Sequence, residues 1–510
     1  MIKLPPRVVR LWWDAHSVAG VMAGLLLHVI FFAGAFALFV REAAPWEQPA
    51  LRLEGAGVPA DLDRVVAGWE QARGQPLPRY FNLFFGDTWQ AGVKATWGER
   101  VAGTYIRHAV LLDAGEGTPR AEVVDRGLIE FMVRLHCLDF FPGGIYLSGA
   151  LGVIMLVAVA TGLAIYLRHW WTDFYRLREA RSRRVAWTDV HNVVGLLTLP
   201  FQTVLAFTGV FVAWSLFIYG SFAVSGFGGD FTALRAKLRP EEIELKPAGV
   251  PTPSLPWNTL LERARTAAPE MDVEFLYVHH YGDANASVTI GGTTPRVMFK
   301  SGAVSLRMRD GAVLDSVNPP LAQWILNAMA VLHFGTFGGW LLDAIYVVLS
   351  ALTCLVCISG LILWVEVRRA RHPGGPPRWH AWFERASLGA SAGLFPATAL
   401  LFATWHLLPA PVSERMPQAE GVFFGAWIVA TLAALPVKNV RRSVRTLLWI
   451  AVAIAAAVPI GNGLGTGGWP GTVPLAASAV DLAAIGAAAL GALMLARHRN
   501  AENSARPRLP

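Results

Sequence analysis

Four of the thirteen histidines in this sequence keep a set distance from a glycine further along the chain. His16 precedes Gly34 by 18 residues and His191 precedes Gly209 by 18, whereas His136 precedes Gly162 by 26 and His333 precedes Gly360 by 27. These registers make 16–175 and 191–368 two copies of one unit. His16 and His191 open apolar runs, and His136 and His333 stand just before two others, so the four occupy two depths. A pseudo-twofold axis would set His16 facing His191 and His136 facing His333. Two neutral imidazoles per centre are what a bis-histidine haem b needs, and the core of a four-helix bundle is a standard place to hold the macrocycle. Gly20, Gly195, Gly143, Gly144, Gly335, Gly338 and Gly339 would let a flat ring approach the backbone. A single histidine at an interface is more often a wet, snorkelling side chain; four at repeated registers are expected to share a purpose, here one haem near each membrane face. His28 lies 12 residues beyond His16, about 18 Å along a helix and 120° around it, so it cannot serve the same iron. Its counterpart in the second copy is Thr203. It reads as a further ligand, a relay, or a hydrogen-bonded core histidine.

Membrane helices are what must position these groups. Of 510 residues 54% are hydrophobic and only 16% charged, with a mean hydropathy of +0.42. A span takes roughly 20 apolar residues, and eight runs qualify: 17–40, 145–167, 193–218, 340–364, 386–408, 421–437, 446–461 and 475–496. Basic residues gather before the first span (Lys3, Arg7, Arg10) and after the second, fourth, sixth and eighth. All fall on one side, which places both termini in the cytoplasm. The net charge of +8 follows from those loops and does not indicate nucleic acid. The composition excludes a soluble enzyme, and three cysteines (Cys137, Cys354, Cys357) exclude a disulfide scaffold. The first span is too long for a typical signal-peptide core and is expected to stay as an anchor.

The fold class expected is a predominantly α-helical integral membrane protein, with a four-helix dihaem core built from two tandem repeats. Each repeat carries a small external α+β module, and four further transmembrane helices follow. The expected order is a cytoplasmic N-terminus and first span (1–40), module one (41–135), the second span (136–175), a loop and third span (176–218), and module two (219–330). The fourth span (331–368), a loop (369–385), four extra spans (386–496) and a cytoplasmic tail (497–510) complete it. Module one reads as helix Leu62–Arg73 then strands 79–85, 91–97 and 104–113. Module two reads as helix 260–268 then strands 273–279, 286–290 and 303–308, with Asp310-Gly311 marking a hairpin turn.

Other motifs carry less. His279-His280 could bind metal, but one of an alternating pair usually faces solvent. Gly463–Gly468 matches G-x-G-x-x-G without the strand and helix a nucleotide site needs. Cys354-x-x-Cys357 lies inside a span, where thiols usually pack. His169, beside Arg168, reads as an interfacial anchor or a haem-propionate contact. The extra spans, Ala- and Gly-rich and nearly free of ionisable groups apart from His406, read as a helix-packing or subunit-contact region. With no flavin or nicotinamide site, an electron donor must be a quinol or a separate cytoplasmic reductase.

The stretch from Leu135-His136 through Thr161-Gly162, the segment Asp189–Gly195 with Thr208-Gly209, and Leu332–Gly335 leading to Ser359-Gly360-Leu361 resemble the PepSY-associated transmembrane family. This family of iron-regulated membrane proteins includes bacterial inner-membrane ferric-siderophore reductases. The resemblance covers about 1–370, and the modules, above all 259–315, resemble PepSY domains. It implies a dihaem b-type cytochrome of the inner membrane that passes electrons from the cytoplasmic side to a periplasmic Fe(III)-siderophore or other iron chelate and releases Fe(II). His16 and His191 would ligate the inner haem and His136 and His333 the outer one, while Trp69, Tyr80, Phe81, Tyr277 and Tyr281 would offer a docking surface. Two departures stand out: Trp12-Trp13-Asp14-Ala15-His16 places an acid where the family has a basic residue, and 386–496 lies outside the resemblance. The rival readings are another dihaem oxidoreductase, a redox-inactive anchored module that binds protein or peptide, and a permease. An anchor has no use for four histidines at two depths, and a permease should carry polar groups near mid-span, where His28 stands alone.

Overall fold

The computed structural model describes residues 5–51, 57–86, 92–101, 104–123, 127–166, 182–238, 245–293, 301–316, 321–371 and 377–504. Most of the basic connection after the second expected span, with Arg168 and His169, lies outside them. In chain order the helices are α1 (Pro6–Ala37), α2 (Val40–Glu47), α3 (Leu62–Arg73), α4 (Leu128–Cys137), α5 (Gly144–Tyr166), α6 (Arg183–Ala213), α7 (Ser215–Phe227) and α8 (Phe231–Leu238). There follow α9 (Trp257–Ala267), α10 (Leu321–Phe334), α11 (Gly339–Ala370), α12 (Arg378–Thr404), α13 (Met416–Ala434), α14 (Val440–Ala456), α15 (Val458–Thr466) and α16 (Leu475–Ser504). The strands are β1 (Phe81–Phe85), β2 (Val93–Val101), β3 (Thr104–Leu112), β4 (Pro119–Glu122), β5 (Asp272–His279), β6 (Ser287–Thr293), β7 (Ser301–Arg307) and β8 (Val313–Ser316). Two compact units result, one from Met1–Glu47, Arg126–Trp214 and His333–Pro510, the other from Gln48–Asp125 and Ser215–Leu332.

Among its described residues the first unit is built of helices. Among the described residues seven helical stretches are long and apolar enough to cross a membrane, which makes this a multi-pass membrane protein: α1, α5, α6, α11, α12, α14 with α15, and α16. The eighth run expected from the sequence, 421–437, falls on α13, which has 19 residues but is not apolar enough over that length. Its first turns hold Pro417, Gln418 and Glu420, leaving about fourteen apolar residues, roughly 21 Å of helix against about 30 Å of hydrocarbon. Glu420 instead takes a 2.6 Å hydrogen bond from Arg134 of α4. Helix α13 lies antiparallel on α12, with Gly389 opposite Ala434 and Gly393 opposite Ala430, so small residues bring the two backbones together. The C-terminal helices are seated on the rest of this unit by ring contacts: Phe32 with Phe395, Phe36 with Phe402, and Phe131 with Phe423.

In the second unit the two expected modules share one eight-stranded antiparallel sheet in the order β4-β3-β2-β1-β5-β6-β7-β8. The join is β1 against β5, with Leu83 opposite Leu276. Alternation along the strands turns Phe81, Leu83, Leu276, Val278, Val288 and Ile290 into one core. Leu62, Val65, Val66 and Trp69 of α3 and Leu260, Leu261 and Ala264 of α9 cover it, the i, i+3, i+4 and i+7 pattern of an amphipathic helix. The two helices cap each other. Asp63 of α3 accepts hydrogen bonds from the first backbone N–H groups of α9, Trp257 at 2.5 Å and Asn258 at 3.2 Å, while Asn258 Oδ1 accepts from Leu62 N at 2.9 Å. Strands β4 and β8, four residues each, escape the sequence reading because a strand so short carries almost no period. The Asp310-Gly311 turn does form, with Gly311 at φ +65°.

Candidate functional site

All four registered histidines lie in the helical unit, and they meet in the two expected pairs. The ring centroids of His16 and His191 are 6.0 Å apart, and those of His136 and His333 are also 6.0 Å apart. His16 stands on α1 and His191 on α6. His136 and His333 do not stand on the long helices; each sits near the end of a short one, α4 or α10, before a break at Leu138 and Gly143 or at Gly335 and Gly339, all with positive φ.

The spacing to glycine now has a cause. Each histidine packs against the glycine of a neighbouring helix: His16 on Gly162, His136 on Gly34, His191 on Gly360 and His333 on Gly209. A Cβ at Gly34 would stand 2.8 Å from His136 Nδ1, and one at Gly162 would stand 2.9 Å from His16 Cε1. With no side chain there, each imidazole reaches polar groups of the facing helix. His16 Nδ1 bonds Ala158 O at 2.9 Å, and His136 Nδ1 bonds Ile30 O at 2.8 Å, each carbonyl four residues before its glycine. His191 Nδ1 meets Ser359 Oγ at 2.9 Å and Val356 O at 3.2 Å, while His333 Nδ1 meets Thr208 Oγ1 at 3.0 Å. The hydroxyls explain why Thr208-Gly209 and Ser359-Gly360 occur as pairs.

Fixing Nδ1 in this way sets the ring's orientation and leaves Nε2 for another partner, the outer-shell pattern of metal-binding histidines. Among the described residues no hydrogen bond reaches Nε2 of any of the four. Two imidazoles on one metal, each with a bond of about 2 Å, have ring centres roughly 6 Å apart, which the pairs match. Gly20 and Gly195, four residues past His16 and His191, would meet nothing within 4 Å if given a Cβ, so helix surface beside the inner pair is open to a flat group. The residues present therefore fit a bis-histidine haem at each level. The outer glycines do other work: a Cβ on Gly144 would run into Leu138 O, and one on Gly338 into Leu342, so these shape turns rather than a slot.

His28 is fully buried on α1, on the other side of that helix, facing α11 and α12. Cys354 donates to its backbone carbonyl at 3.5 Å, and both Cys354 and Cys357 are free thiols. Of the aromatic residues expected to offer a docking surface, Trp69 of α3 and Phe81 of β1 are core. Tyr281 stacks on Trp257 and Tyr277 on Phe275, while Tyr80 is exposed and its hydroxyl meets His280 Nδ1 at 2.8 Å. Among the described residues no group of three or more His, Cys, Asp or Glu could hold a metal ion, which leaves His279-His280 without further ligands. Gly463–Gly468 ends α15, with Gly463 packed on Trp469. The sequence reading of the last helices overlooked Asp481. Fully buried on α16, it accepts from Trp46 Nε1 at 2.9 Å and Asn462 Nδ2 at 2.7 Å, beside His406, whose ring is 4.4 Å from Trp46. An acid inside an apolar span was the available signal.

Residues 13–366 match the PepSY-associated TM region. The chain is also 29% identical over 358 residues to the uncharacterized protein PA4219 of Pseudomonas aeruginosa, covering 65% of this chain and 86% of that one.

Proposed function

This chain belongs to the PepSY-associated transmembrane family, and from that premise we propose that it is a dihaem b-type ferric reductase of the bacterial inner membrane. The observation that carries the proposal is the pairing of His16 with His191 and of His136 with His333 at 6.0 Å, every Nδ1 engaged. We read the chain as two copies of one unit, since each copy seats its histidines on its own glycines in the same crossed manner. Haem, when bound, supplies one-electron chemistry at both depths. The protein's part is to hold the imidazoles in orientation and to keep the path between the two depths dry. That path is lined by Leu27, Phe31, Leu151, Met155 and Phe201, so charge on the core is little screened by solvent.

The substrate proposed is a periplasmic Fe(III)-siderophore or similar chelate, and the donor a quinol or a cytoplasmic reductase. Hard oxygen ligands suit Fe(III) better than Fe(II), so delivery of one electron is itself the release step and no catalytic acid or nucleophile is required. The two sheet halves are the PepSY-like part of the molecule and would face the periplasm.

The test is the reduced-minus-oxidised visible spectrum of detergent-purified protein with a pyridine haemochrome count. Wild type should hold about two b haems. His16→Ala or His191→Ala should each lose one, and His136→Ala or His333→Ala the other; the reduced protein should then reoxidise on adding ferric siderophore. Folded protein without haem would sink the reductase reading.

A further inference from the structure

One face of α12 carries a line of buried polar residues. His380, Glu384, Ser387, Ser391 and Thr398 follow at steps of four, three, four and seven residues, and all are buried, although these steps keep a helix on one side. That side is turned to α1 and α11. Glu384 accepts from Arg369 of α11 at 2.7 Å, His380 lies 5.8 Å from the Trp364 ring, and Phe395, one turn past Ser391, meets Phe32. From His380 to Ser391 the line climbs about 16 Å from the arginine-rich end of α12, and His28 of α1 stands beside its upper end.

His28 is 0% exposed, with the backbone of Ser391 and of Cys354 beside its ring, and among the described residues no side chain bonds either ring nitrogen; the hydroxyls of Ser391 and Thr398 are buried without a partner. A buried imidazole beside the Ser391 hydroxyl, with the Thr398 hydroxyl about 10 Å further along α12, is costly inside an apolar bundle unless something mobile and polar completes these groups, and a water or a proton is small enough. Helix geometry sets the depth. His28 is two residues from Ile30, whose carbonyl holds His136, so it lies level with the outer pair and about 200° around α1 from that carbonyl. Only the thickness of one helix separates it from the outer centre, and charges at such a distance feel each other strongly where water is absent.

We infer that the α12 polar line is a proton half-channel ending on His28, and that His28 takes up a proton when the core takes up an electron. The inference rests on the dihaem reading. The step balances: one electron from the donor reduces one iron, one proton from solvent at the Arg378–Arg385 end adds to the His28 imidazole, and on reoxidation by the ferric chelate both depart. The titratable group shown against His28 on α11 is Cys354, whose thiol donates to the His28 carbonyl. The charged groups of α12, which are Arg378, Glu384 and Arg385, sit at its N-terminal end. Among the described residues of these helices no acid stands beside the imidazole to hold a resident proton, which leaves the electron in the core as the compensating charge.

The experiment is a redox titration of the purified full chain from pH 6 to 9, followed by haem absorbance, with proton uptake on dithionite reduction read by an indicator dye in weak buffer. Wild type should show one midpoint that falls as pH rises, and uptake of about one proton per chain. His28→Gln keeps a hydrogen-bonding side chain that cannot be protonated; it should hold both haems, lose the pH slope and take up no proton. Ser391→Ala should keep the slope and slow the uptake about tenfold. A His28→Gln protein with full haem and an unchanged slope overturns the inference while the dihaem reading stands. A haem-free wild type overturns both.

Discussion

Replacing Gly34 by alanine isolates the fit between a histidine and its facing helix. The new Cβ would stand 2.8 Å from Nδ1 and 3.0 Å from Cε1 of His136, whereas unstrained contacts lie at about 3.5 Å or more. The ring must retreat by roughly 0.6 Å, more than the ~0.5 Å tolerance of a preorganised site, and its hydrogen bond to Ile30 O must stretch. Overpacking of this kind costs about 1–3 kcal/mol, which converts to about 5- to 150-fold weaker haem retention at ~1.4 kcal/mol per decade. The same calculation grades the other three sites. Gly162→Ala (2.9 Å to His16) should be nearly as harmful, Gly209→Ala (3.1 Å to His333) intermediate, and Gly360→Ala (3.3 Å to His191) the mildest, since a few tenths of an ångström relieve it. The assay is hemin titration of purified variants, read by haem absorbance. Gly34→Ala should weaken only the outer centre and Gly162→Ala only the inner. Full affinity at both centres in these two variants, or a greater loss in Gly360→Ala, would refute the reasoning.

Three further outcomes are expected. Thr208→Val removes the hydroxyl that meets His333 Nδ1 and should weaken the outer haem by about 10- to 100-fold; Ser359→Ala should do less, because His191 keeps Val356 O, and equal losses would contradict this. Asp63→Ala strips both capping bonds from α9 and should destabilise the sheet unit by about 1–2 kcal/mol, visible as an earlier loss of β-sheet circular dichroism on heating. Asp283 accepts from the N–H groups of Asn285, Ala248 and Gly249, which hold its carboxyl below the usual carboxylate value. A depressed folded-state value means stabilisation that is complete above the unfolded value and lost as pH falls through the folded one. Asp283→Asn should therefore lower stability at pH 7 and flatten its decline between about pH 5 and 3; an unchanged acid profile would count against it.

Much of the site was legible because membrane helices impose a strict depth scale. Eighteen residues from His16 to Gly34, and again from His191 to Gly209, are one traverse of α1 or α6, so equal spacings betray equal levels before any contact is known. The helices of the sheet unit were legible for a similar reason: Leu62, Val65, Val66 and Trp69 repeat with the helical period, and Asp61 and Gly74 punctuate the ends. The function of the glycines was not. Spacing ties His16 to Gly34 within α1, yet the contacts run crosswise, His16 to Gly162 and His136 to Gly34, because a side chain touches the helix beside its own.

What the amino-acid order determined by itself is therefore local and periodic: which segments are apolar enough to leave water, where the basic loops fall, and that four imidazoles recur at two depths. The tertiary structure alone decided which imidazole faces which and that the two strand groups join through β1 and β5 into one sheet. It also decided that α13 folds back on α12 and that His28 of α1 lies beside Ser391 of α12. Hydrophobic periodicity specifies how much surface an element must bury and on which side. The partner is chosen by shape and hydrogen bonding between residues far apart in sequence, and no window of the chain contains both halves of such a contact.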